Sequence, residues 1–204
     1  MNPAHPQGNR FFIKPFVVGP MAVNCYLLAD PSTKDACIID PGSDARRIAD
    51  FIQTNGLNLE FIINTHGHGD HIAQNGYFKR PIYIHKLDKD FLADPEKNLS
   101  TMFLLKITSP KADRLLDDGD KISLGSLELE IIHTPGSISI KVEDVIFTGD
   151  CLFAGGIGRS DFSYGDEALL LKSIREKLFK FDDATVICPG HGEASTIGRE
   201  RGSV

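Results

Sequence analysis

The sequence predicts an α+β domain built on a layered core of short strands. Three observations carry that expectation. Short apolar runs recur along the chain, each bounded by Gly, Pro, Asp or Asn turn signals. Between them lie segments with apolar residues at helical spacing, the clearest running from Asp166 to Phe179. A His or Asp followed by a Gly-containing loop stands repeatedly where an apolar run ends, at His66, His133, Asp150 and His191.

Composition bounds the function. At 204 residues, 41% hydrophobic and 25% charged, the chain is long enough for one domain with a substantial core. A net charge of −6 argues against a general nucleic-acid surface, which needs a basic footprint, but leaves room for a local basic pocket. No apolar run approaches the ~20 residues needed to cross a bilayer, so no membrane partner is expected. Residues 1–10 are polar and Pro-containing and read as a flexible leader without a signal core; 11–204 read as a single domain. Cys25, Cys37, Cys151 and Cys188 include no CxxC pair and do not form a disulfide framework, which makes a reducing cytoplasm the default compartment. Cys25, Cys37 and Cys188 sit in apolar stretches and read as buried thiols. Cys151 adjoins Asp150, where a thiol could ligate, be oxidised or simply be buried.

Taken in order, Phe11 to Val18, Asn24 to Leu28 and Ala36 to Ile39 are strands separated by Gly-Pro and Asp-Pro-Ser turns. Ser43 or Asp44 caps a helix to Thr54, with Ala45, Ile48, Ala49 and Ile52 on its apolar face and Asn55-Gly56 ending it. Phe61-Ile62-Ile63 is a buried strand, followed by a helix from about Asp70 to Phe78. Pro81 to Ile84 is a strand and Lys86 to Leu92 a helix. Pro95 to Arg114 is a long connection holding one short helix, either packed or bordering a cleft, and Leu115 to Gly119 is a turn region. Lys121 to Leu124 pairs with Leu127 to Ile132, whose alternating Leu and Glu give one core face. Ile138 to Val142 pairs with Val145 to Phe147. The Asp166 to Phe179 helix, a strand from Thr185 to Cys188 and a short helix near Ser195 complete the chain.

The chemistry is concentrated in Thr65-His66-Gly67-His68-Gly69-Asp70-His71. On a near-extended backbone His66 and His68 face the same side, while Asp70 and His71 come a turn later. Imidazole and carboxylate together suit zinc, iron or manganese. If the strands share a layered core, the loops carrying His66, His133, Asp150 and His191 converge on one edge of it.

The HxHxDH cluster, a later His after a strand, Gly149-Asp150 after another, and Pro189-Gly190-His191-Gly192 resemble the metallo-β-lactamase superfamily from about Phe11 to Arg201. Within it, Phe147 to Asp150 and Gly155-Gly156-Ile157-Gly158-Arg159-Ser160-Asp161-Phe162 are similar to the glyoxalase II branch, the hydroxyacylglutathione hydrolases. The resemblance implies an αβ/βα four-layer sandwich, two mixed sheets with helices outside. It also implies two divalent ions, zinc first and iron or manganese as alternatives. His66, His68 and His133 would hold one ion, Asp70, His71 and His191 the other, and Asp150 would bridge them. Asp70 and Asp150 are the expected catalytic carboxylates, acting with a metal-held hydroxide on a thioester such as S-lactoylglutathione. Arg159 would contact the glutathione moiety or pair with Asp161, and Tyr164 would line the same cleft. Asp40 closes a strand, placed either to hydrogen-bond a ligand histidine or to hold its Asp-Pro-Gly turn. His5 and His85 fall outside the pattern.

Two departures stand out. The family usually reads HTPGHTPG, whereas here His133-Thr134-Pro135-Gly136 occurs once and runs into Ser137. The C-terminal helical domain of full-length glyoxalase II is absent after Pro-Gly-His-Gly, so the expectation is a shorter, single-domain relative. Two alternatives remain open: a mononuclear-iron persulfide dioxygenase of the same fold, and a metal-binding protein without catalysis. The expected partner is a small acylthiol.

Overall fold

A computed structural model describes residues 10–159 and 166–204. The leader expected at 1–10 lies outside the described residues, apart from Arg10, which faces Glu143 at 3.6 Å. Six strands form the first sheet in sequential order: β1 (Phe12–Val18), β2 (Val23–Ala29), β3 (Asp35–Ile39), β4 (Asn58–Ile63), β5 (Ile82–His85) and β6 (Arg114–Leu116). β1 to β3 are antiparallel neighbours; β3 to β6 are parallel. Parallel pairing requires crossovers, and α1 (Ala45–Thr54) supplies the first. α2 (Gly69–Ile72) and α3 (Asn75–Phe78) supply the second.

The second sheet contains β7 (Lys121–Leu124), β8 (Leu127–Thr134), β9 (Ser137–Val142), β10 (Val145–Gly149), β13 (Val186–Pro189) and β14 (Ser195–Thr196), joined in the spatial order 14-13-10-9-8-7. Its one parallel pair, β10 with β13, is connected through α4 (Glu167–Ser173), which runs on as a π-helical turn over Ile174–Leu178. A small hairpin of β11 (Leu152–Phe153) and β12 (Gly156–Ile157) follows Asp150, and α5 (Ile197–Arg201) lies near the C-terminus.

Strand alternation sorts the apolar residues into layers. Leu28, Ile39 and Ile63 of the first sheet meet Leu129, Ile131, Ile140 and Phe147 of the second in the central layer. Their sequence neighbours Ile38 and Ile62 turn outward onto Ile48 and Ile52 of α1. Ile132, Ile146 and Ile187 turn outward onto Leu170, Ile174 and Leu178. Central strands thus bury both faces, which is why β2 and β10 are buried along their whole length instead of at every second residue. The result is the expected αβ/βα sandwich: helix, sheet, sheet, helix.

At one end Asp30 clasps the two sheets. Its carboxylate accepts from Ser32 N and Oγ at 2.7 and 2.6 Å, and from Ser126 N and Oγ at 2.6 and 2.7 Å.

Several local expectations are corrected. The helix expected from Asp70 to Phe78 is two single turns, broken where the Gln74 N–H donates to Pro41 O and the Asn75 side chain bonds Asn64 and Ser109. The 86–92 helix shrinks to a 3₁₀ turn at Lys89–Leu92. β6 forms inside the stretch read as a turn, and the Gly-rich loop contains β11 and β12.

Candidate metal centre

The end of the sandwich opposite Asp30 gathers the polar residues. His66 and His68 follow β4, Asp70 and His71 lie in α2, Asp150 follows β10 and His191 follows β13. His66, His68 and Asp150 bring ligand atoms within 4.8 Å of one another, and so do Asp70, His71 and His191. Asp150 joins the two groups. Its Oδ2 lies 3.8 Å from His66 Nε2 and 3.7 Å from His191 Nε2, and its Oδ1 3.6 Å from His71 Nε2. Asp70 Oδ2 lies 3.5 Å from His191 Nε2 and 3.7 Å from His71 Nε2.

Each of three imidazoles is aimed by an acceptor at its outer nitrogen. The His71 Nδ1–H donates to Asp40 Oδ2 at 3.0 Å. His66 Nδ1–H donates to Thr65 Oγ1 at 3.0 Å, and that hydroxyl donates to Asp40 Oδ2 at 2.6 Å. His191 Nδ1–H donates to Met21 O at 3.0 Å. With Nδ1 protonated, the lone pair of every Nε2 faces inward, the tautomer a metal requires. Asp40 therefore orients histidines as well as holding its turn. Its Oδ1 also accepts Thr65 N at 2.8 Å.

The loops are fixed by backbone and side chain together. Asn24 Nδ2 donates to Pro189 O and Gly192 O at 3.0 and 2.9 Å, and Tyr26 Oη donates to Pro189 O at 2.8 Å. These bonds tie the His191 turn of the second sheet to β2 of the first. At Gly190 a Cβ would stand 2.3 Å from Asp150 Oδ1 and 2.8 Å from His71 Cε1, so only glycine lets that turn approach the centre.

The donor set fits a cation. Asp150 Oδ1 is buried without a hydrogen-bond partner, a costly state for a carboxylate oxygen that a metal would relieve. His66 Nε2 and His68 Nδ1 face each other at 2.9 Å, and His71 Nε2 and His191 Nε2 at 3.3 Å, so four ring nitrogens converge on the same carboxylates.

Without metal the charges are strongly coupled. Burial, with the neighbouring imidazoles, holds His66 well below the usual histidine range. Burial likewise takes His68 down to about 4, and Arg159 is close enough for its charge to add to that shift. Burial would lower His71 too, but Asp150, Asp40 and Asp70 outweigh it and lift the group to about 10. Burial raises Asp150, whereas in Asp70 the contacts with His191, His71 and His68 outweigh burial and lower it.

His133 is not brought to this centre. Strand alternation turns its ring between the sheets, where it stacks on His85 at 4.0 Å and 13°. Asp118 Oδ1 accepts its N–H at 2.7 Å, and Lys177 Nζ donates to its carbonyl at 2.7 Å. The physical cause is the hairpin: Thr134 pairs directly with Ser137, leaving only Pro135-Gly136 as a turn. β9 therefore separates β8 from β10, which carries Asp150. Two strand spacings amount to about 10 Å.

Arg159 is exposed on the rim near His68, and Tyr164 lies outside the described residues. The Cys151 thiol is buried and pushed up to about 12 by desolvation, which favours the protonated form. Sequence reasoning missed Thr65, Asn24, Tyr26 and Gly190. A usable signal existed for two of them: Asn24 and Tyr26 are alternate polar positions in a strand buried along its whole length.

Residues 18–191 match the Metallo-beta-lactamase superfamily. An uncharacterised protein of Mycobacterium tuberculosis (strain ATCC 25618 / H37Rv) is 42% identical over 211 residues, covering 91% of this chain and 93% of its own. Hydroxyacylglutathione hydrolase GloC of Haemophilus influenzae is 37% identical over 192 residues, covering 88% and 90%. The crystal structure of BLEG-1 B3 metallo-beta-lactamase superposes with a TM-score of 0.88 at 35% identity, covering 94% of this chain and 97% of that one. On fold, motif and sequence match together, the chain belongs to the metallo-β-lactamase superfamily.

Proposed function

We propose that the protein is a metal-dependent hydrolase of small acylthiols, with S-lactoylglutathione as the first substrate to test. The observation that carries this reading is the set of three Nε2 atoms, each with its outer nitrogen bonded, gathered around the Asp150 carboxylate, whose buried Oδ1 has no hydrogen bond. Divalent cations at such a site, zinc first with iron or manganese also suited, supply Lewis acidity and a hydroxide near neutral pH. No protein nucleophile is then required. Asp70, at the mouth of the centre, orients the attacking water. Asp150, whose carboxylate reaches both ligand groups, would help hold the cations and offset their charge. Arg159, on the rim beside His68, attracts a carboxylate on the thiol portion of the substrate. The likeness to a hydroxyacylglutathione hydrolase favours a glutathione thioester. We place the protein in the cytoplasm, where its four buried cysteines stay reduced.

The test is hydrolysis of S-lactoylglutathione by metal-loaded protein, with and without a chelator. The reading predicts turnover that a chelator abolishes and added zinc, iron or manganese restores. Oxygen consumption with glutathione persulfide, without hydrolysis, would make the protein a dioxygenase. Bound metal with no turnover of any acylthiol would leave a metal-binding protein.

A further inference from the structure

We infer that the two halves of the centre hold metal unequally: one ion tightly at Asp70, His71, His191 and Asp150, a second weakly at His66 and His68. The inference rests on the metal-binding reading of the site and is independent of the substrate.

Donor number sets the asymmetry. The tight half has Asp70 Oδ2, His71 Nε2 and His191 Nε2 within 4.8 Å of one another. Asp150 adds a fourth donor there, with Oδ1 at 3.6 Å from His71 and Oδ2 at 3.7 Å from His191. Four donors complete a tetrahedral site. The other half has His66, His68 and Asp150 within 4.8 Å of one another, three donors of which the carboxylate is the shared one, with Oδ2 at 3.8 Å from His66 Nε2. Asp70 serves the first half alone, so the second half has two neutral imidazoles and only a share of one carboxylate, with a cation for a neighbour.

Nothing among the described residues completes the weaker half. His133 is pinned by the stack on His85 and by bonds from its backbone to Asp118 and Lys177. Moving it to the centre would mean unpairing the Thr134–Ser137 end of the hairpin. His85, its stacking partner, is buried at the end of β5 and faces the same way.

The experiment is titration of chelator-treated, full-length protein with Co²⁺, read by visible absorption and by calorimetry. One equivalent is expected to bind tightly and a second about 10–100-fold more weakly, a gap of the size that lost ligand support produces. His68→Ala should abolish only the weak equivalent. His191→Ala should abolish the tight one, with folding checked by circular dichroism. His133→Ala should leave both unchanged. Two equivalents of equal affinity would overturn the inference, as would loss of an equivalent in His133→Ala or of the tight one in His68→Ala. No binding at all would bring down the metal reading beneath it as well.

Discussion

Asp40 Oδ2 accepts the Nδ1–H of His71 at 3.0 Å while both side chains are buried. The same oxygen accepts the Thr65 hydroxyl, which in turn accepts from His66. One carboxylate thus aims histidines belonging to both halves of the centre. Replacing Asp40 with Asn keeps the size but weakens the acceptor and gives it an N–H₂ group to place. Metal affinity is expected to fall about 10–100-fold. Thr65→Val removes the acceptor of His66 directly and touches His71 only through Asp40, so it should affect the weaker equivalent more. Competitive titration against a chromophoric chelator checks both.

Metal must displace a proton from His71. Its neighbouring carboxylates hold it protonated up to about 10 in the metal-free protein, and a ligand imidazole has to be neutral. Binding should therefore release a proton, and affinity should rise with pH until His71 titrates. Calorimetry in buffers of different ionisation enthalpy measures that release. A heat independent of buffer would show that the group is already neutral.

Gly190→Ala places a methyl where Asp150 Oδ1 and His71 Cε1 stand, at 2.3 and 2.8 Å. The turn must back away, costing about 1–3 kcal/mol of stability and separating the ligands. Metal content after dialysis should drop further than the fall in Tm alone would suggest.

The Asp30 clasp tests the other end of the sandwich. Hydrogen bonds from Ser32 and Ser126 hold its carboxyl well below the ordinary range. Its stabilising contribution is complete above the unfolded value of about 4 and is lost as pH falls through the depressed folded value. Asp30→Ala should cost about 1–2 kcal/mol near neutral pH, because donors on the exposed Ser32 and Ser126 lose a charged acceptor that water replaces only in part. Urea unfolding of both proteins should converge under strong acid. Metal content at neutral pH should be untouched.

Much of this was legible in the chain. Strand ends at Ile63, Gly149 and Pro189 announce themselves by His, Asp and Gly, and the period-two spacing of His66 and His68 puts both rings on one side. His133 carries the same local signature, yet a strand-end histidine reaches the centre only if its strand lies beside it. That is a property of sheet order, not of spacing. Thr65 and Gly190 were silent for a related reason: each matters through a partner distant in sequence, Asp40 for Thr65 and Asp150 for Gly190. Asp40 could be read as a turn residue or as an orienting carboxylate, and the structure makes it both.

The most direct test of the metal centre is anomalous scattering from crystals of the zinc-loaded protein, measured across the zinc edge. The account predicts a strong peak among Asp70 Oδ2, His71 Nε2, His191 Nε2 and Asp150, with a weaker one against His66 and His68. A peak on the His85–His133 stack instead, or none between the sheets' open ends, would contradict it.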